Sequence, residues 1–254
     1  MSLARRSGYN VAHLYKREFL MTVLNRRTCA VLSAVALLTM AGWAPAAAGS
    51  TATQRLLSQA SQNTNSVRTI TYTILKDERS TNLSFKLVDH GAEDEVANSE
   101  QHHMSAVVHE KIASGRMRTI KYTVDLIFIH GRTYYRSNLF KNNAWQERIG
   151  SVLHDPVLAG NGWQRKRTAV SFPLSNKYAE VSRGGQVHLR SQARTSIGNT
   201  TEDVYVTQSI RPYVARMTVN VTGSFQGNAV SIHQDTTFGG FNRPLHIDIP
   251  TTGV

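Results

Sequence analysis

Residues Val67–Leu75 read VRTITYTIL, and this stretch decides the fold class. Val67, Thr69, Thr71 and Thr73 fall on one face of an extended chain, while Ile70, Tyr72 and Ile74 fall on the other. Strict alternation in β-branched and aromatic residues is the mark of a half-buried strand. Immediately before it, Thr51–Asn65 carries a narrow apolar stripe (Leu56, Leu57, Ala60) with Thr51 or Thr53 available as an amino-terminal cap. That segment is the one strong helix candidate in the chain.

Downstream the alternation recurs. Leu83, Phe85 and Leu87 share a face of a second strand, whereas the acidic stretch His90–Gln101 reads as a loop. Met104–Ile112 and Met117–Val124 flank Ser114-Gly115, a tight-hairpin signal. Leu126–His130 and Thr133–Tyr135 flank Gly131-Arg132, and Ala144–Ile149 forms a short strand with Trp145. Ser151–Asn176 is irregular, with Pro156, Pro173 and Gly160-Asn161-Gly162. After Gly184-Gly185, strands are predicted at Val187–Arg190, Asp203–Ile210, Tyr213–Val221, Ala229–Thr237 and Leu245–Ile249. One helix followed by about ten strands in hairpin order predicts a mainly β (α+β) domain over residues 49–254. Its architecture is a strongly curved antiparallel half-barrel sheet wrapped around the amino-terminal helix.

The first 48 residues have the layout of a secretory signal peptide. Asn25-Arg26-Arg27 precedes an apolar run from Cys29 to about Trp43, and Ala46-Ala47-Ala48 offers a cleavage site before Gly49. The apolar run is shorter than the ~20 residues of a membrane-spanning helix, so removal is expected over retention as an anchor. Met21 begins a leader of ordinary length; the alternative is a long basic extension from Met1. The expected location is extracytoplasmic, secreted or envelope-associated. The one cysteine, Cys29, stands at the start of the apolar run, not after it where a lipid anchor would attach, and 49–254 has no thiol for disulfides, nucleophiles or metal.

Of the formal charge of +12, residues 1–48 hold six Lys/Arg against one Glu, which leaves +7 on 49–254. That excess suits an anionic membrane surface or cell-wall polymer. The basic residues are scattered, and no nucleic-acid-binding signature accompanies them. Even Arg165-Lys166-Arg167 reads as a solvated loop. His102, His103 and His109 are the nearest approach to a metal pattern, yet their spacing does not converge three ligands. His154-Asp155 are adjacent, which seldom makes a catalytic pair. Neither a nucleophile elbow, a His-Glu-x-x-His helix nor a phosphate-binding glycine loop occurs. No enzyme, metal or cofactor is expected.

Two segments then carry a resemblance: DLIFIHGRTYYRSN, Asp125–Asn138, with Trp145 shortly after, and the closing VSIHQDTTFGGFNRPLHIDIP, Val230–Pro250. Together with the leader and helix order, they resemble the LolA/LppX-like (LppX/LprAFG-type) superfamily of bacterial envelope lipoproteins and lipid carriers. The resemblance implies an open β-barrel around helices, an apolar cavity for acyl chains and no catalytic residues. The chain departs from the LppX-like pattern in lacking the lipidated cysteine. On this reading the candidate cavity lining is Ile70, Tyr72, Ile74, Phe85, Leu87, Phe128, Tyr134 and Trp145. Arg132 and Arg136 are the candidate headgroup contacts, and lipid or lipoprotein acyl chains are the expected partners. The same residues serve equally as plain core in an envelope sensor or protein-interaction domain, since periodicity does not separate a filled core from a ligand cavity.

Overall fold

The computed structural model describes residues 51–112, 114–139, 143–149, 177–195, 197–225 and 227–251. All of them belong to one compact unit, Gly42–Gly150 with Arg167–Val254. The leader with Cys29, and the segment Ser151–Asn176 with His154-Asp155 and Arg165-Lys166-Arg167, lie outside the described residues.

Helix α1 spans Thr51–Asn65, as its apolar stripe predicts. It is followed by β1 (Thr69–Ser80), β2 (Leu83–Asp94), β3 (Ser99–Lys111), β4 (Met117–Ile129), β5 (Arg132–Ser137) and β6 (Gln146–Ile149). Then come β7 (Ala179–Arg183), β8 (Gln186–Arg194), β9 (Gly198–Thr207), β10 (Val214–Phe225) and β11 (Asn228–Gly239). These strands form one sheet in the order β6-β5-β4-β3-β2-β1-β11-β10-β9-β8-β7. Every pairing is antiparallel. The sheet is open, because β6 and β7 are edges rather than partners of each other.

Register assigns the faces, since side chains alternate along each strand. Tyr72 is opposite Gly91, Gly91 opposite His102, and His102 opposite Leu126. Tyr72 is also opposite Phe238. These residues lie on one face, called inner here, and α1 packs against it. Leu57 and Ala60 of the helix join Val67, Ile70, Tyr72, Val187, Leu189, Val204, Val206, Val214 and Phe238 in one buried cluster. Helix position is fixed by polar contacts too. Thr64 donates to the carbonyl of Ala60 (2.7 Å) and accepts from the amide of Val214 (2.9 Å), while Asn63 donates to the carbonyl of Pro212 (2.9 Å).

Several boundaries differ from the sequence reading, each for a physical reason. His90–Gln101 is not a loop: β2 and β3 run through it and only Glu95–Asn98 turns. The Asp94 carboxylate caps that turn by accepting from the amides of Val96 and Ala97 (3.0 and 2.9 Å). Met117–Val124 and Leu126–His130 are one strand, because Asp125 points to the outer face and is paired there. Gly184-Gly185 is the hairpin turn between β7 and β8, and β7 is an additional strand. Leu245–Ile249 is not a strand. After a turn at Gly240 and Asn242, both at positive φ, the chain is tied to β1 through Asn242 and Arg243. It then lays Leu245 and Ile247 on the outer face against Ile127, Ile129, Tyr134 and Trp145. Its alternation reflects packing on a sheet, not pairing within one.

Candidate functional site

The sheet divides the candidate lining residues into two sets. Ile70, Tyr72 and Ile74 of β1, Phe85 and Leu87 of β2, and Phe128 of β4 share the inner face. Ile70, Tyr72, Phe85 and Phe128 are buried there, and Leu87 and Ile74 are half-buried. Tyr134 sits opposite Ile127, one residue out of step with Phe128, and so faces outward with Arg132 and Arg136. Trp145 packs into the same outer cluster as Tyr134, under Ile247 and Leu245. Tyr135, one position on from Tyr134, is the β5 aromatic that faces inward. In a run of two tyrosines only the hairpin register tells which one points in.

The two arginines are engaged on the outer face. Arg136 Nε donates to Asp125 (2.6 Å), which also pairs with His103, and the Arg136 guanidinium lies 4.8 Å from the Trp145 ring centre. Burial works against the charge on Asp125, yet the hydrogen bonds from His103 and Arg136 outweigh it and hold its carboxyl below the usual range. Arg132 pairs with Glu147. An open groove of about 530 Å³ lies on this face, floored by Thr71, Thr73, His90, Gln101 and His103 with Leu245 at its side.

Sequence reasoning missed the polar part of the inner face. His102 is buried, with Asp89 Oδ2 3.3 Å from Nδ1 and Glu100 Oε2 3.8 Å from Nε2. The Tyr72 hydroxyl is 3.2 Å from His102 Nδ1. Burial opposes charge on the imidazole, but the hydrogen bonds with Asp89 and Glu100 prevail and raise its pKa to about 9. Nearby, Lys76 Nζ is 2.5 Å from Glu78 Oε1, and both side chains are almost entirely buried. Period-2 spacing places these residues on the inner face in retrospect. Their charge disguises them as loop residues.

His102 faces inward while His103 and His109 face outward, and no group of three metal-ligating side chains converges among the described residues. No described helix is long and apolar enough to cross a membrane.

No family model matches the sequence, and no curated protein matches it. Among solved structures the chain is similar to LprF from Mycobacterium bovis, at 12% identity and a TM-score of 0.45, covering 82% of this chain and 100% of that one. It is also similar to the Mycobacterium tuberculosis lipoprotein LppX, at 7% identity and a TM-score of 0.38, over 77% of this chain and 99% of that one. A DUF1329 family protein from Desulfovibrio piger matches at 9% identity and a TM-score of 0.22, over 79% and 96% of the two chains.

Proposed function

We propose that this chain is an extracytoplasmic carrier or binding protein for lipids or other amphiphiles, which buries acyl chains between the inner face and α1. The observation that supports it is the buried inner face of an open sheet, where apolar side chains flank a polar group of Asp89, Glu93, Glu100 and His102. Ile70, Tyr72, Ile74, Phe85, Leu87 and Phe128 of β1, β2 and β4 are its apolar part. Such a surface holds an acyl chain at roughly 0.8 kcal/mol per methylene removed from water. Apolar sites of this kind use a few polar groups to orient the ligand, and the Lys76–Glu78 and Tyr72–His102 pairs are the groups available. The reading is non-enzymatic.

Titration of delipidated protein with a fluorescent fatty-acyl probe tests it. Saturable uptake, lost in Phe85→Asp or Phe128→Asp and kept in the outward-facing variant Tyr134→Ala, is the expected result. Uptake that is absent, or equally sensitive on both faces, contradicts it. A second reading is an envelope sensor or protein-interaction domain with a filled interior. It is favoured by the near-complete burial of Phe85 and Phe128, each 2% exposed.

A further inference from the structure

The four hairpins β1–β2, β3–β4, β8–β9 and β10–β11 all turn at the same end of the sheet. The β3–β4 hairpin extends past the start of β2 on one side and past the end of β5 on the other. Its β2 partner begins at Leu83, opposite Glu110, and β5 pairs with β4 only from Val124 to Ile129. Among the described residues no strand pairs with Met117–Thr123 on the side away from β3, where only the Asn138 side chain reaches the backbone of Lys121 and Thr123.

The tip of that hairpin combines two features that separately are ordinary. Met117, opposite Lys111, is 61% exposed, and Ile112, one residue on and donating its amide to the Arg116 carbonyl at 3.0 Å, is 38% exposed, so both apolar side chains stand out at the tip. Lys111, Arg116 and Lys121 are exposed around them. Arg118 is paired with Glu110, and Arg79 and Lys86 share Asp77. No carboxylate among the described residues pairs with Lys111, Arg116 or Lys121. Exposed Arg194, also without a carboxylate partner there, closes β8 at the same end. At the opposite end of the sheet, Asp94 at the close of β2 is buried and paired with Arg68.

We infer that the β3–β4 tip docks on an anionic lipid bilayer, with Met117 and Ile112 entering the interface and Lys111, Arg116 and Lys121 meeting lipid phosphates. Short apolar residues ringed by uncompensated cations gain from both burial and surface potential, and neither term alone holds a protein on a membrane. This inference rests on the carrier reading for its purpose but not for its test.

The experiment is co-sedimentation of the full chain with vesicles of phosphatidylcholine alone and of phosphatidylcholine mixed with phosphatidylglycerol. Wild type is expected on the anionic vesicles only. The double variant Lys111→Glu/Arg116→Glu should lose about ten-fold or more in partitioning, and Met117→Asp should release the protein once salt is raised. A Met117→Trp reporter should add a blue-shifted emission on anionic vesicles. Each variant should keep wild-type uptake of the acyl probe, which separates loss of docking from loss of the ligand site. Equal binding to both vesicle types, unchanged binding by the charge-reversed protein, or no blue shift with full displacement by soluble polyphosphate would each overturn the inference.

Discussion

The Tyr72 ring crosses a whole strand to reach His102: its hydroxyl lies 3.2 Å from Nδ1, and the two rings meet edge-on with centroids 5.9 Å apart. Gly91, on the intervening strand and in register with both, makes the crossing feasible. A Cβ at Gly91 would stand 2.1 Å from Tyr72 Cζ. The glycine is thus a seat for the ring, a known use of glycine inside strands.

Gly91→Ala should therefore destabilise the protein by about 1–3 kcal/mol, the range for overpacking a buried site. In a Tyr72→Ala background the same substitution should cost almost nothing further, because the ring it displaces is gone. Urea denaturation of the four proteins in this cycle measures the coupling. Equal effects of Gly91→Ala in both backgrounds would show that the ring is not what fills the space.

His102 should make stability depend on alkaline pH. Its folded pKa of about 9 lies above the ordinary 6.5, so the stabilisation is fully present below about pH 6.5 and is lost as pH rises through about 9. The difference corresponds to roughly 3 kcal/mol. Denaturation curves across pH 6 to 10 should decline in wild type and flatten in His102→Gln. A decline that persists in the variant would move the effect to another group.

Much of the fold was legible from side-chain period alone: α1 from Leu56, Leu57 and Ala60, β1 from VRTITYTIL, the β3–β4 and β4–β5 hairpins from Ser114-Gly115 and Gly131. At the last of these, His130 and Gly131 both take positive φ (52° and 74°), the backbone a two-residue hairpin demands. Which face is inner was not legible where apolar residues are adjacent. Tyr134 and Tyr135 read alike, and only pairing with β4 turns Tyr135 in and Tyr134 out. Buried charge was equally hidden. Glu93, Glu100 and His102 look like solvated loop residues until register brings Asp89 and Tyr72 to the same face.

Lys76 and Glu78 extend that hidden polarity. Among the described residues Glu78 has only Lys76 as a counter-charge, and neither carboxylate oxygen accepts a regular hydrogen bond there. Lys76→Met should leave a buried, unpaired carboxylate and cost about 3–5 kcal/mol, whereas Lys76→Met/Glu78→Leu should recover most of it. Chemical denaturation of both variants checks this. A double variant as unstable as the single one would mean that packing, not charge, sets the cost.

Native mass spectrometry of the protein purified from its own host asks whether the inner face holds an amphiphile. A mass excess of stoichiometric ligand is expected, recovered by organic extraction as an acyl-chain lipid and abolished by Phe85→Asp. A protein that carries no ligand, and takes up none when lipids are offered, would contradict it and leave the filled interior as the better description.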